Sequence, residues 1–350
     1  SWDAEARVDS VDPSAFGELP AGEINAQISS SGSKAGDKLD FVAEVTTLSG
    51  QLAGYDVGGG GKVEYGDSVW LVDNFHLTDG RNELRLHGSV KEELDLDFSF
   101  TGEQLGALLP ALKGGVSAHG RVGGTVDMPR LTAQLRSDGL SYENYSVTSA
   151  SADVDFVIEE QGAFNTVVKI GGADLGGFML EQVGVDISGS TGTHSGDILI
   201  DSDFGTLSLK ISGGLDQAKK WRGVLAEIGY EHPDYGQWRQ KGSAALEASA
   251  EFLKLSDFCL YSGENGFCGS GEGSTSGSWS TRIDELRFSL SKLNEWGEVK
   301  PGITGVVKGE LVAAGKGSVL STLDGKIEVP ELELDVDADE LYPELKWYET

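Results

Sequence analysis

Apolar and polar residues alternate with a period of two through most of this chain. Glu93-Leu94-Asp95-Leu96-Asp97-Phe98-Ser99-Phe100 sets four large apolar side chains on one side of a strand and four polar ones on the other. The same alternation runs through Ala152 to Ile158, Val183-Gly184-Val185-Asp186-Ile187, Leu207-Ser208-Leu209-Lys210-Ile211, Leu286-Arg287-Phe288-Ser289-Leu290 and Leu332-Glu333-Leu334-Asp335-Val336. Turn signals lie between these runs: Gly58 to Gly61, Asp79-Gly80, Ser137-Asp138-Gly139, Gly171-Gly172 and Asp324-Gly325. Helical signals are sparse. Thr101-Gly102-Glu103-Gln104 reads as a capping box opening a short helix through Leu109 that Pro110 ends. Single helical turns are expected over 216–220 and 289–296. The pattern predicts an all-β chain with brief helices at the joints.

A phrase recurs three times: Phe16-Gly17-Glu18-Leu19-Pro20-Ala21-Gly22, Leu108-Leu109-Pro110-Ala111-Leu112-Lys113-Gly114 and Val299-Lys300-Pro301-Gly302-Ile303. Each runs from an apolar residue through Pro and Gly into an alternating strand. Recurrence at long intervals among short strands points to stacked units, with joints near 101–113 and 289–302 and one repetitive segment over 1–350. One-sided strands need a place for the apolar side, which a sandwich, a barrel or a folded-over open sheet would each supply. About 25–30 strands at about 4.8 Å spacing would make an open sheet about 120–140 Å long. The only candidate linker is Gly269 to Ser280.

Gly accounts for 50 of 350 residues, about twice the usual share, and Pro for only 8. That suits many strands joined by tight turns. Net charge is −30, from 27 basic and 57 acidic residues. Nucleic acid is therefore excluded as a natural partner, since phosphates need a basic footprint, and an anionic membrane surface would repel the chain. No run of about 18 apolar residues could span a bilayer, and no signal peptide opens the sequence. The chain reads as part of a longer protein whose anchor lies elsewhere.

The two cysteines, Cys259 and Cys268, flank a turn containing Gly263, Asn265 and Gly266. The spacing suits a disulfide across a hairpin, which would point to an oxidising compartment; two unrelated buried thiols are the alternative. Catalytic patterns fail one by one. Gly273-Ser274-Thr275-Ser276-Gly277 has Thr where a nucleophile elbow needs Ser. Val63 follows Lys62 where a phosphate loop needs Ser or Thr. Asp335-Val336-Asp337-Ala338-Asp339 starts like a calcium loop, but Glu340 and Lys346 stand where Gly and Glu are required. The five histidines (His76, His87, His119, His194, His232) have no ligand spacing. No catalysis, cofactor or metal is expected.

Several ordered phrases resemble the TamB family, the AsmA-like proteins of the Gram-negative envelope. Leu77-Thr78-Asp79-Gly80-Arg81-Asn82-Glu83-Leu84-Arg85-Leu86-His87-Gly88 is similar to that family's Gly-x-Asn-x-Leu-x-x-x-Gly phrase. Gly124-Thr125-Val126-Asp127-Met128-Pro129-Arg130-Leu131 is similar to its Gly-Thr-x-x-x-Pro-x-Leu phrase. Gly192-Thr193-His194, Trp221-Arg222-Gly223, Gln237-Trp238 and the cysteine pair follow in the family's order. The resemblance implies a taco-like, U-section β structure with an apolar trough, set in the periplasm, with an inner-membrane anchor outside this segment. It further implies phospholipid transfer to the outer membrane, or support for outer-membrane protein assembly with the barrel partner TamA. This stretch would sit in the middle of the trough. On that reading the lining residues are Leu84, Leu86, Leu94, Leu96, Phe98, Phe100, Val154, Phe156, Val183, Val185, Ile187, Leu207, Leu209, Ile211, Leu286, Phe288, Leu290, Leu332, Leu334 and Val336. Phospholipid acyl chains would be their partners; unfolded outer-membrane proteins would be partners under a scaffold or chaperone reading. A third possibility is an adhesin-like β-solenoid whose core is filled by its own side chains.

Overall fold

The computed structural model describes residues 1–335 except 18–20, 108, 110, 160, 296 and 298–301, together with everything but the side chains of residues 16, 107 and 335. The chain is nearly all β, an open antiparallel sheet rather than a closed barrel. It divides into two compact units, 1–191 and 192–350. Among the described residues no helix is long and apolar enough to cross a membrane.

The first unit holds β1 (Trp2–Val11), β2 (Gly22–Ala35), β3 (Lys38–Leu52), β4 (Tyr55–Gly66), β5 (Val69–Asp79), β6 (Asn82–Val90), β7 (Leu94–Gly102), β8 (Leu112–Gly114), β9 (Val116–Gly124), β10 (Pro129–Ser137), β11 (Leu140–Tyr142), β12 (Tyr145–Val157), β13 (Ala163–Leu175) and β14 (Met179–Ser190). Consecutive strands pair from β1 to β7; β7 then pairs with β9, β9 with β10, β10 with β12, and β12 through β13 to β14. The short β8 and β11 extend this ladder, β8 on β11 and β11 on β12.

The second unit holds β15 (His194–Ser202), β16 (Gly205–Leu215), β17 (Trp221–His232), β18 (Gly236–Gln240), β19 (Ala244–Ala248), β20 (Phe252–Ser262), β21 (Asn265–Ser274), β22 (Ser278–Ser289), α1 (Ser291–Glu295), β23 (Gly302–Thr304), β24 (Val306–Lys316), β25 (Val319–Glu328) and β26 (Glu333–Asp335). Its ladder runs β15-β16-β17, continues through β18 and β19 to β20, and ends β21-β22-β24-β25. β23 and β26 form a separate two-stranded sheet.

One module occurs in both units. Asn74 in β5 and Asp257 in β20 adopt left-handed backbone, φ 51° and 58°, next to a register shift in their strands. Asn and Asp tolerate that conformation better than most residues. Eight residues further on (74 to 82, 257 to 265) a glycine turn is followed by a buried Asn. Asn82 Oδ1 accepts from the Gln104 N–H and its Nδ2 donates to the Gln104 carbonyl, both at 2.9 Å. Asn265 Oδ1 accepts from the Ser289 N–H at 2.7 Å. At each clamp the chain breaks from the strand order, makes a helical turn (a 3₁₀ turn at Leu105–Ala107, or α1), passes a three-residue strand (β8 on β11 of the same sheet, β23 on β26 of the separate one) and resumes as β9 or β24. The first phrase sits at a similar excursion between β1 and β2, where Asp12 Oδ1 accepts from the N–H groups of Ser14 and Gly22 at 3.0 and 3.1 Å. The three repeated phrases therefore mark three excursions from the sheet, although Pro20, Pro110 and Pro301 lie outside the described residues.

Several local expectations change. The Thr101 to Leu109 helix shrinks to the 3₁₀ turn, because Gly102 still pairs with Asn82 and the Asn82 amide holds the Gln104 backbone. Residues 216–220 form a non-helical turn in which Asp216 Oδ1 accepts from Ala218 and Lys220 N–H groups. Gly58 to Gly61, Gly171-Gly172 and Asp324-Gly325 lie inside β4, β13 and β25 rather than at turns. The Gly269 to Ser280 stretch belongs to the β21–β22 hairpin.

Candidate functional site

Residues directly opposite one another in an antiparallel pair share a side of the sheet. Register can therefore be followed across the first unit from strand to strand. Ala6, Ile28, Val45 and Gly61 stand opposite in turn; further along the ladder Phe75, Leu86, Phe98, Gly120, Ala133, Val154, Thr166 and Ile187 do the same. Beside this row lies Leu96, Val122, Leu131, Phe156, Phe164, and on its other side Leu84, Phe100, Ala118, Leu135, Ala152, Val168, Val185. One side of twelve strands is thus almost wholly apolar. The second unit repeats the arrangement, with Ile198, Leu209 and Ile228 opposite in turn, and Leu260, Phe267, Leu286, Gly309 and Ile327 likewise.

Eleven of the expected lining residues share this side in the first unit: Leu84, Leu86, Leu94, Leu96, Phe98, Phe100, Val154, Phe156, Val183, Val185 and Ile187. Leu207, Leu209, Ile211, Leu286 and Phe288 share it in the second. Leu290 lies in the turn after β22, where its N–H donates to the Gly305 carbonyl. Leu332 precedes β26, and Leu334 pairs with Ile303 in the separate small sheet. Val336 lies outside the described residues. The sequence reading overlooked Leu131-Thr132-Ala133-Gln134-Leu135, whose alternation would have revealed it, and the glycines and alanines that complete the rows.

Among the described residues, nothing in either unit is laid against this side. Among the described residues the buried apolar side chains are Val57, Leu105, Ala173, Leu180, Leu225, Ala244 and Ala313, and no large side chain is fully buried. Phe98, Val154 and Ile187 are half-buried by their lateral neighbours alone. Aromatic rings lie flat across glycines of adjacent strands: a Cβ at Gly120 would stand 2.7 Å from the Phe98 ring, and one at Gly315 2.6 Å from the Trp279 ring. This packing shelters glycine backbone and keeps the apolar surface shallow.

The reverse side is polar. Arg121 pairs with Asp95 at 2.5 Å, Arg130 with Asp155, and Lys210 with Glu227 at 3.2 Å. The Arg130 hydrogen bond holds the Asp155 carboxyl below its usual range. Cys259 and Cys268 are opposite partners on this polar side, between the inward Phe258–Gly269 and Leu260–Phe267 pairs, with their sulfurs at bonding distance and the Tyr261 hydroxyl 3.3 Å from Cys268 Sγ. A disulfide here would tie the hairpin without intruding on the apolar rows. Among the described residues no group of three or more His, Cys, Asp or Glu side chains is placed to share a metal ion.

One carboxylate departs from this separation. Asp79 stands opposite Val57 and Asn82 on the apolar side, and its Oδ1 is buried with no hydrogen-bond partner. Burial pushes its carboxyl above the usual value.

The chain thus falls in the class of open antiparallel sheets with one apolar side, which the described residues leave uncovered. A family model described as TamB, N-terminal domain, matches residues 1–345. The chain belongs to the TamB family, whose members act in the bacterial envelope. No solved structure matches the chain.

The Asp79 geometry makes a pH-dependent prediction. A folded-state pKa above the unfolded one favours the protonated form in the fold, so this residue's contribution is fully present below about pH 4, the value for a free aspartate. It is lost as pH rises through the raised value, leaving a net cost at pH 7. Asp79→Asn should therefore stabilise the chain by about 1 kcal/mol at pH 7, read as a higher urea midpoint, with the gain shrinking towards pH 4. Identical midpoints at both pH values would contradict this.

Proposed function

We propose that this chain is one continuous segment of a bridge-like lipid transfer protein, whose apolar side shields phospholipid acyl chains between the inner and outer membranes of a Gram-negative bacterium. The observation that carries the reading is the apolar surface running across twelve strands with nothing among the described residues laid against it. Membership of the TamB family supports it. Each CH₂ left in water costs about 0.8 kcal/mol, so a sixteen-carbon chain crossing unaided would cost on the order of 12 kcal/mol. A sheet of Leu, Ile, Val and Phe removes most of that cost, and headgroups stay in water on the open side. The task calls for no acid, base or nucleophile, and we assign the chain no enzymatic role. The folded-over trough, the periplasmic setting, and a TamA-type partner and membrane anchor reached through other parts of the protein belong to the same proposal.

A second reading, a scaffold for outer-membrane β-barrel proteins, is favoured by β25. That strand pairs only with β24 among the described residues and exposes Leu320, Leu323 and Ile327 at 51%, 60% and 61%. An extended client strand could add to such an edge.

In the oxidising periplasm Cys259 and Cys268 should be bonded. Intact mass should rise by two hydrogen atoms on reduction, and two free thiols in the oxidised protein would exclude the bond.

Phe98 and Ser99 provide the functional test, since they are neighbours on opposite sides of β7. A photocrosslinker at Phe98 should capture phospholipid in cells, and one at Ser99 should not. Phe98→Asp places a charge among the acyl chains and should impair outer-membrane integrity, while Ser99→Asp should not. Circular dichroism checks that each variant folds. Equal lipid capture at both positions, or normal integrity with folded Phe98→Asp protein, counts against the conduit.

A further inference from the structure

We propose that the tip formed by the ends of β8, β11, β12 and β13 docks a protein surface that is apolar at its centre and rich in lysine or arginine at its rim. Leu112, Tyr142, Tyr145 and Leu175 stand directly opposite one another across these four strands. Along β12, Tyr145 and Val147 share the odd-numbered side with Asp153 and Asp155, which is the polar side of the sheet. The tip is therefore an apolar island on the side that is otherwise charged, separate from the rows assigned to lipid. Tyr142, Tyr145, Leu175 and Phe178 are exposed at 40%, 48%, 48% and 46%. They stand beside a small buried floor in which Val147, Ala173 and Leu180 are opposite in turn, Ala173 and Leu180 being 3% and 8% exposed. Two tight turns, at Glu143-Asn144 and Gly176-Gly177, hold the island in place, the latter through Asp174 Oδ1 accepting from the Gly177 N–H at 2.7 Å.

Charge selects the occupant. The segments 111–114, 138–147 and 173–181 carry four carboxylates, Asp138, Glu143, Asp174 and Glu181, against one cation, Lys113. An acidic rim repels an anionic bilayer. It also repels a second copy of this chain, whose net charge is −30. An exposed patch rich in tyrosine with a charged rim has the anatomy of a protein interface, and the complement of its rim is basic. The proposal does not rest on the lipid reading.

The test uses the 350-residue chain with p-benzoylphenylalanine in place of Tyr145. The probe is a synthetic eighteen-residue helix with a leucine stripe flanked by lysines; a second peptide keeps the lysines but replaces leucine by serine. Capture of the leucine peptide is expected, at least tenfold above the serine peptide. Capture should fall at least tenfold in Glu143→Lys/Glu181→Lys protein, but not when Asp153→Lys is made on the same side away from the tip. Raising the salt to 0.5 M on the parent protein gives the same decision if the double variant does not fold. Equal capture of both peptides, capture unaffected by charge reversal and salt, or labelling of phosphatidylethanolamine–phosphatidylglycerol vesicles in preference to the peptide would overturn the proposal.

Discussion

A sheet that is apolar on one side must lay that side against something, and in neither unit do the described residues supply it. The consequence runs through the whole structure. Side chains that would form a core in a sandwich are only half-buried here, and the few buried ones are mostly small or sit near strand ends and excursions, as Val57, Leu105, Ala173 and Leu180 do. The fold is then held chiefly by its backbone ladders, by lateral contacts within each apolar row and by ion pairs such as Arg121–Asp95 on the reverse. Pairs of that exposed kind contribute little each. A ligand that fills the open side therefore also completes the packing.

Glycine reconciles large aromatic residues with so shallow a surface. Where Phe98 or Trp279 lies on the sheet, the facing position on the neighbouring strand is Gly120 or Gly315, and any side chain there would force the ring upright. The apolar surface can then carry aromatic area without ridges that would interrupt it along the strand-to-strand direction. Asp79 is the exception on this side, and it sits next to the Asn82 clamp, where the chain leaves the sheet.

Much of this was legible in the sequence, and the limits have physical causes. Period-two alternation identified Leu94 to Phe100 and Val183 to Ile187 as one-sided strands, because each side of a strand meets a single environment. The repeated Pro-Gly phrase marked the excursions, since both residues disrupt regular pairing. Glycine misled at Gly58 to Gly61, Gly171-Gly172 and Asp324-Gly325. Conformational freedom predicts a turn there; Gly172 does adopt left-handed backbone, φ 60°, but within β13, and elsewhere the residue serves to admit neighbours: a Cβ at Gly61 would stand 2.7 Å from Phe75 and one at Gly325 2.4 Å from the Glu310 carbonyl. Such requirements come from adjacent strands and leave no local trace. The buried clamps of Asn82 and Asn265 were hidden for the same reason, because each partner lies more than twenty residues further along the chain. Leu332 and Leu334 alternate as the other strands do, but alternation cannot say which sheet a strand joins.

Whether the uncovered side faces lipid can be read along β12 by spin labelling, one position at a time from Ala152 to Phe156, in protein whose two cysteines are replaced by serine. In phospholipid-loaded protein the account predicts high oxygen collision rates at Ala152, Val154 and Phe156, and high rates with a water-soluble nickel chelate at Asp153 and Asp155. A uniform profile, or free access of the chelate to Ala152, Val154 and Phe156 with lipid bound, would contradict it.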